Sequence, residues 1–297
     1  MSRVRITEVG PRDGLQNESN VVPTEAKVAF VNALGATGVD EIEVSGFVHP
    51  KWVPQLADAA DVFHQLERAP GIIYSALVPN EKGLERALEA GVDKIAVFTA
   101  ASETFNRHNI NASIAESIER FQSVMKRVKS EDLPVRGYVS TAFHCPYEGR
   151  IAPDQVVPVV EQLLDLGVDE VSIGDTIGKA PPSDVRALLD VLFKRVGPER
   201  LVLHVHDTYG MAIANALAAW EDYGVTRFDS SAGGLGGCPY APGAAGNVAT
   251  EDLVYALQAS GAETNVDEAV VVQAAQKIEP HLSRSLNSRL SRVLAES

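Results

Sequence analysis

Two histidines in the segment LVLHVH, residues 201–206, are the first candidates for chemistry. His204 and His206 are two positions apart in an apolar run typical of a β-strand, so both imidazole rings would project from the same face. Such a pair can bind one metal ion, or it can be a hydrogen-bonded pair in the core. The spacing alone leaves both alternatives open.

Oxygen ligands elsewhere in the chain favour the metal. Asp13 follows a predicted first strand, and Asn247 closes a glycine-rich segment. Two nitrogens and two oxygens, with positions left for water or substrate, suit an octahedral Mg²⁺ or Mn²⁺ ion. A ferrous site of two histidines and a carboxylate is also compatible with these ligand types, whereas structural zinc would need more thiolate.

Three further charged residues are expected at strand ends. Arg12, in GPRDGLQNE, could form a simple ion pair with Asp13, or its guanidinium could stabilise an oxyanion or an enolate. Glu43 would then hold Arg12 or a metal-bound water in place. Asp175 could contact the substrate or support a metal ligand. Each acid alone is typical of a solvated loop, so it is their clustering that indicates a site.

The chain has two cysteines, and both precede Pro-Tyr. Cys145 directly follows an apolar strand, so we expect it to be buried. Cys238 lies in SAGGLGGCPYAPGAAGN, residues 231–247, where six glycines would let a loop close over a ligand and reopen. An ordinary thiol, with a pKa of about 8.5, is mostly protonated at neutral pH, so Cys238 is better suited to donate a proton than to act as a preformed nucleophile.

The elements that must position these side chains form a repeating pattern. Four segments share a glycine-valine start followed by a buried strand, which is typical of a helix end leading into a parallel strand. With the strands between them, eight are predicted, within residues 4–9, 37–47, 72–77, 90–100, 135–141, 166–176, 201–206 and 223–233. Eight alternating strands and helices predict a (β/α)8 TIM barrel, in which active sites form at the carboxyl ends of the strands. A doubly wound open sheet is the alternative, but no GxGxxG follows the first strand.

Helical patterns occupy the intervening segments, near residues 24–37, 55–68, 80–90, 113–129, 154–166, 183–196, 210–223 and 248–260. Residues 265–297 predict additional C-terminal helices. We therefore expect residues 1–297 to form a single domain, with the barrel at about 1–260 and a helical extension after it.

Composition excludes several classes of partner. The formal net charge is −14, which argues against nucleic-acid binding. We find neither a signal sequence nor an apolar run long enough for a membrane span. Two cysteines fit a reducing compartment, so a cytoplasmic location is expected.

Five segments together resemble the 3-hydroxy-3-methylglutaryl-CoA (HMG-CoA) lyases of the DRE-TIM metallolyase superfamily: VGPRDGLQNE, EVSGFVHPKWVPQ, SIGDTIG, HVHDTYGMAIAN and GGLGGCPYAPGAAGNVATEDLVY. The resemblance implies a metal-dependent carbon–carbon lyase that cleaves HMG-CoA to acetyl-CoA and acetoacetate, as in leucine degradation and ketone-body metabolism. It also implies a Mg²⁺ or Mn²⁺ cofactor, an acyl-CoA substrate and a homodimer.

The resemblance assigns roles to individual residues. The implied metal ligands are Asp13, His204, His206 and Asn247. Arg12 would stabilise the thioester enolate, and Cys238 would be the mobile proton donor. Glu43 and Asp175 match acidic residues needed for activity, and Gln16 is a candidate substrate contact beside Arg12. The general base is left as Asp13 or His204.

Alternative functions stay open at this point. The substrate could be a longer 3-hydroxy-3-alkylglutaryl-CoA, since one sequence does not identify pocket-lining residues. A Claisen-condensing synthase of the same superfamily would share the histidine pair but usually carries extra C-terminal domains. A non-catalytic acyl-CoA-binding sensor is the alternative from another class, and the intact set of polar residues argues against it.

Overall fold

The computed structural model describes residues 3–237, 246–286 and 288–295. Eight parallel strands close into a barrel in which each strand lies beside its neighbours in the chain, and the last pairs with the first. The strands are β1 (Arg5–Glu8), β2 (Glu41–Gly46), β3 (Ile73–Leu77), β4 (Lys94–Ala100), β5 (Val135–Ser140), β6 (Glu170–Asp175), β7 (Leu201–Val205) and β8 (Arg227–Ser230). The predicted TIM barrel is confirmed, and the open sheet is excluded.

Helices surround the barrel and cover the apolar outer face of its strands. They are α1 (Thr24–Leu34), α2 (Ala59–Gln65), α3 (Glu81–Glu89), α4 (Glu103–Ile110), α5 (Ile114–Ser130), α6 (Pro153–Leu166), α7 (Pro182–Leu192), α8 (Ala212–Tyr223), α9 (Thr250–Ala259), α10 (Glu268–Ile278) and α11 (Arg289–Ala295). Buried side chains of α10, among them Val271 and Ile278, belong to the main apolar core, so this C-terminal helix packs on the barrel. The single-domain assignment stays a prediction.

Two segments differ from the sequence expectation. The helix predicted for 55–68 is shorter, because Pro54–Leu56 forms a 3₁₀ turn and α2 begins at Ala59. Helix α4 was not predicted, since its polar sequence ETFNRHNI lacks an apolar period. Its ends are nevertheless well capped: Ser102 accepts from the amide of Phe105, and Asn111 adopts a left-handed conformation.

The barrel interior is charged rather than aliphatic. Residues that alternate along the strands project inward and form ion pairs across the barrel. Lys94 donates to Glu41 at 2.7 Å, and Arg136 donates to Glu170 at 2.6 Å and to Asp229 at 2.8 Å. All five side chains are buried, so each charge requires the partner that it has.

Within the described residues, no helix combines the length and the apolar character that crossing a bilayer requires.

Candidate active site

The first strand ends in an unusual turn that carries Arg12 and Asp13. Residues Gly10–Gly14 form a single π-helical turn, in which the amides of Asp13 and Gly14 both bond to the carbonyl of Val9. Such turns are rare in proteins, and those that occur often lie at functional sites. A side chain at Gly10 would lie 2.6 Å from the carboxylate of Glu8, so glycine lets the chain turn closely over the strand end.

The Arg12 guanidinium is fixed on two sides. Its Nε donates to Glu43 at 2.7 Å, and one terminal nitrogen donates to Asp13 at 2.6 Å. The group also lies over the ring of Tyr138, at 5.4 Å from the centroid, and the Tyr138 hydroxyl donates to the same Glu43 oxygen at 3.2 Å. Glu43 thus holds Arg12, one of its two expected roles.

Asp13, His204 and His206 meet at the carboxyl rim. One ligand atom from each lies within 4.8 Å of the others, which is the spacing of a potential metal site. The Nε2 atoms of the two histidines are 3.2 Å apart. Adjacent ligands of an octahedral ion are separated by about 3 Å, so the pair is spaced to share one ion.

Asn247 completes this group. Its backbone pairs with His206 in an isolated bridge, and its amide nitrogen donates to Asp13 at 2.9 Å. Its amide oxygen is buried and has no hydrogen-bond partner among the described residues. A buried acceptor without a donor is costly, and a cation beside Asp13 would satisfy it. The donor set of two imidazoles, a carboxylate and an amide oxygen therefore fits a divalent ion.

The glycine-rich segment has a narrow neck beside Asn247. Gly236 and Gly246 have positive φ angles of 129° and 87°. A side chain at Gly246 would lie 2.5 Å from the carbonyl oxygen of Gly236, and one at Gly236 would lie 2.7 Å from the Asn247 amide nitrogen. These two glycines are therefore required for the close approach of the segment's two ends.

The surroundings shift the pKa values of the three ionisable metal-ligand candidates in different directions. Burial opposes ionisation of Asp13, but the charges of Arg12 and His204 hold its pKa well below the usual range. Burial lowers the pKa of His206 to about 4, and the neighbouring His204 adds to this effect. Burial also acts against charge on His204, but its hydrogen bond to Asp229 raises the pKa overall. His206 is thus neutral at pH 7, as a metal-binding imidazole must be.

The other predicted residues lie in different settings. Asp175 is fully buried at the end of β6, and its two oxygens accept the backbone amides of Lys179 and Ala180. Burial raises its pKa to about 6, against those two hydrogen bonds. Gln16 is half-buried on the turn that follows Gly14. Asp175 therefore organises its own loop, residues 176–180, in addition to any role toward the substrate.

The two cysteines have different outcomes. Cys145 is buried, as expected, and its sulfur lies 3.1 Å from the hydroxyl oxygen of Ser102. Cys238 lies outside the described residues, between Gly237 and Gly246.

Sequence reasoning missed two side chains that contact the predicted ones, Tyr138 and Asp229, and a third, Arg136, that holds Asp229. Tyr138 touches Arg12 and Glu43, Asp229 contacts His204 at 3.3 Å, and Arg136 bonds to Asp229. The sequence does carry one signal for these side chains. Polar residues recur at every second position in Arg136-Gly-Tyr138 and Arg227-Phe-Asp229, on strands whose other face is apolar. The pattern shows a polar interior, but it does not reveal which residues meet.

The fold and this site define a (β/α)8 barrel enzyme with a candidate divalent-metal centre at the carboxyl rim. The family model described as HMGL-like matches residues 3–278, and the chain belongs to this family. The resemblance drawn from the motifs is confirmed.

Curated relatives and solved structures match over nearly the whole chain. A hydroxymethylglutaryl-CoA lyase of Bacillus subtilis is 48% identical over 295 residues, covering 99% of this chain and 98% of its own. A 3-hydroxy-3-isohexenylglutaryl-CoA/hydroxy-methylglutaryl-CoA lyase of Pseudomonas aeruginosa is 48% identical over 292 residues, with coverage of 98% and 97%. The crystal structure of a hydroxymethylglutaryl-CoA lyase from Pseudomonas aeruginosa has a TM-score of 0.96 at 48% identity, covering 99% of this chain and 98% of that one.

Proposed function

We propose that this protein cleaves HMG-CoA to acetyl-CoA and acetoacetate in a metal-dependent retro-Claisen reaction. The observation that carries the proposal is the grouping of ligand atoms of Asp13, His204 and His206 within 4.8 Å of one another. Asn247 and Arg12 are both hydrogen-bonded to Asp13 beside them. Family membership and full-length relatives named as HMG-CoA lyases support the substrate.

The reaction breaks the bond between the tertiary carbinol carbon and the carbon next to the thioester. The substrate hydroxyl loses a proton and becomes the ketone of acetoacetate, and the bonding electron pair moves onto the thioester as an enolate. A divalent ion held by Asp13, His204, His206 and Asn247 would supply Lewis acidity that makes this hydroxyl easier to deprotonate. Asp13 or His204 accepts the proton, and both stand at the rim within reach of a common point.

Arg12 stabilises the enolate oxygen. Its guanidinium is buried, and its contacts with Glu43 and Asp13 hold it in one orientation before substrate arrives. A donor fixed in this way acts on developing charge without reorganisation, a role whose loss typically costs 10²–10³-fold in kcat. Glu43 and Tyr138 are therefore the groups that keep Arg12 aimed.

Cys238 delivers the proton that converts the enolate carbon into the methyl group of acetyl-CoA. The support for this assignment is the neck at Gly236 and Gly246, which brings both ends of the segment carrying Cys238 against the metal-ligand candidate Asn247. Closure of this segment would also exclude bulk water from the enolate.

The cofactor, location and assembly follow from the same proposal. Two imidazole nitrogens and two oxygen ligands, with no thiolate among them, favour Mg²⁺ or Mn²⁺ over softer metals. The scarcity of cysteine fits the cytoplasm, and we expect a homodimer. Gln16, next to the Arg12 turn, is proposed to contact the substrate, and Asp175 to shape the rim on which the substrate rests.

A longer 3-hydroxy-3-alkylglutaryl-CoA is the second candidate substrate. One relative of 48% identity is named for both the isohexenyl and the methyl thioester. Both substrates would use the same carboxylate, hydroxyl and thioester groups at the site. They would differ in the room available for the alkyl chain.

The experiment that tests the function is a direct assay. Purified protein is freed of metal with EDTA, supplied with Mg²⁺ or Mn²⁺, and given HMG-CoA, and acetoacetate and acetyl-CoA are measured. Metal-dependent formation of both products in equal amounts supports the proposal. Release of free CoA from acetyl-CoA and a 2-oxo acid, without HMG-CoA cleavage, would instead identify a condensing synthase. Comparing kcat/KM for HMG-CoA with kcat/KM for the isohexenyl thioester shows which of the two the protein prefers.

A further inference from the structure

We propose that Asp229 is a positioning residue that fixes the ring of His204 and directs its Nε2 atom toward the metal-ligand group. The inference rests on the metal-binding part of the proposed function. Asp229 lies on β8 directly beside His204 on β7, and the two are register partners in the parallel pair, so their side chains project to the same interior face. Oδ2 of Asp229 lies 3.3 Å from Nδ1 of His204.

Asp229 is itself held in place by two donors. Ser172 donates its hydroxyl to Oδ2 at 2.8 Å, and Arg136 donates to Oδ1 at 2.8 Å. With an arginine bound to it, the carboxylate is an acceptor, so the contact at 3.3 Å places the imidazole hydrogen on Nδ1 of His204. The lone pair is then on Nε2, the atom that lies 3.2 Å from Nε2 of His206. A carboxylate behind a ligating histidine commonly sets its tautomer in this way. A His204 that binds the ion through Nε2 has no free lone pair, so Asp13 is then the group that accepts the substrate proton.

The two histidines are not equivalent in this respect. Nδ1 of His206 is buried without a hydrogen-bond partner in the described parts of the chain, and His206 is located by its backbone bridge to Asn247. His204 has a dedicated side-chain support, whereas His206 depends on the neck of the glycine-rich segment. We therefore expect His204 to be the more rigid of the two ligands.

A purely structural role makes a different prediction. Arg136 pairs with both Asp229 and Glu170, so Asp229 could serve only to balance the charge of Arg136 inside the barrel. Glu170 supplies the matched control: it contacts Arg136 at 2.6 Å, and its other partners are Lys94 and Arg227 rather than a histidine.

The test compares Asp229→Asn with Glu170→Gln. Mn²⁺ binding is measured without substrate by the EPR signal of free Mn²⁺. An amide at position 229 points a hydrogen toward either Arg136 or His204, so one of the two contacts is lost. We expect the Kd for Mn²⁺ to rise by about 10–100-fold in Asp229→Asn, the usual effect of losing such a support, and to change little in Glu170→Gln. Equal weakening in both variants, or an unchanged Kd in Asp229→Asn, would overturn the proposal.

A second measurement on the wild-type protein covers the case in which Asp229→Asn does not fold. The protein is prepared with ¹⁵N-labelled histidine, and its NMR spectrum shows which ring nitrogen of His204 carries the hydrogen. In the Mg²⁺-loaded protein, His204 should have a protonated Nδ1 and an unprotonated Nε2, and the reverse tautomer contradicts the inference. Neither measurement involves HMG-CoA. The role of Asp229 and the proposed lyase activity can therefore fail independently, and the experiments show which of the two has failed.

Discussion

The side-chain amide of Asn247 donates to Asp13 at 2.9 Å, although the two residues are 234 positions apart. The contact joins the turn after the first strand to the segment after the last strand, at the seam where the barrel closes. The amide oxygen of Asn247 is buried and has no hydrogen-bond partner among the described residues, so Asn247 both positions Asp13 and offers a candidate metal ligand.

We expect Asn247→Ala to raise the Kd for Mn²⁺ by about 10–100-fold, because an oxygen ligand and the donor to Asp13 are lost together. Isothermal titration calorimetry measures the effect. The control is Asn106→Ala, which removes another buried asparagine, whose amide donates to Ala112 in the segment between α4 and α5. Unchanged affinity in Asn247→Ala would remove this residue from the ligand set.

Arg12→Lys should lower kcat by about 10²-fold or more. Lysine keeps the charge, but one ammonium group cannot reproduce the planar geometry that engages Glu43 and Asp13 together. Steady-state kinetics with saturating metal check the result. A loss confined to KM would show that Arg12 only binds the substrate.

Cys238→Ser and Cys238→Ala should both reduce turnover severely while metal affinity and unfolding temperature stay close to wild type. The reason is that a proton donor is lost without any change in the ligand set. Cys145→Ala is the matched control, since its thiol is buried beside Ser102 and should affect stability rather than turnover. Near-normal turnover in both Cys238 variants would disprove the donor role.

Gly236→Ala should weaken metal binding, whereas Gly237→Ala should be tolerated. A Cβ at Gly236 would lie 2.7 Å from the Asn247 amide nitrogen, and its φ of 129° disfavours any side chain. A Cβ at Gly237 meets no described atom within 4 Å. Mn²⁺ titration of both variants shows whether binding depends on the close approach at the neck or on the flexibility of the glycine-rich segment. An equal loss of Mn²⁺ affinity in the two variants would favour flexibility.

Glu8→Gln should change how stability depends on pH. Glu8 is fully buried, and burial raises its pKa from 4.5 to about 7, against hydrogen bonds from Thr250, Ala232 and Gly10. Between these two values the unfolded chain loses the proton first, so rising pH favours unfolding of the wild type. Relative to Glu8→Gln, the wild type should lose on the order of 3 kcal/mol between pH 4.5 and pH 8. Urea unfolding of both proteins across this pH range gives the difference in their free energies of unfolding. If that difference does not change with pH, the raised pKa of Glu8 is contradicted.

The regular part of the fold was predictable because its signals are local. Four barrel strands are predicted from a buried run that follows a helix-ending glycine, and the other four from apolar runs in the gaps between them. The count of eight then favours closure. Closure in turn places all strand carboxyl ends on one rim, which is why the sequence predicts that Asp13, His204 and His206 lie close together, as the structure has them.

The interior charges and helix α4 were not predictable in the same way. Alternation shows that Arg136 and Asp229 face inward, but their partners depend on the register and the stagger of strands distant in the chain. Helix α4 forms through its caps at Ser102 and Asn111, which outweigh a polar sequence. Glu8 was missed because a glutamate ending a strand looks like a solvated residue until Ala232 and Thr250 are brought over it.

The charged interior of the barrel has a consequence for assembly of the native state. Lys94 pairs with Glu41 across 53 positions, and Arg136 pairs with Glu41 across 95 and with Asp229 across 93. Dividing the barrel between β4 and β5 would separate Lys94 from Glu170 and Arg136 from Glu41, so each half would lose buried ionic contacts that only the closed barrel supplies. Separately expressed half-barrels of this chain should therefore be less stable than their share of the whole barrel.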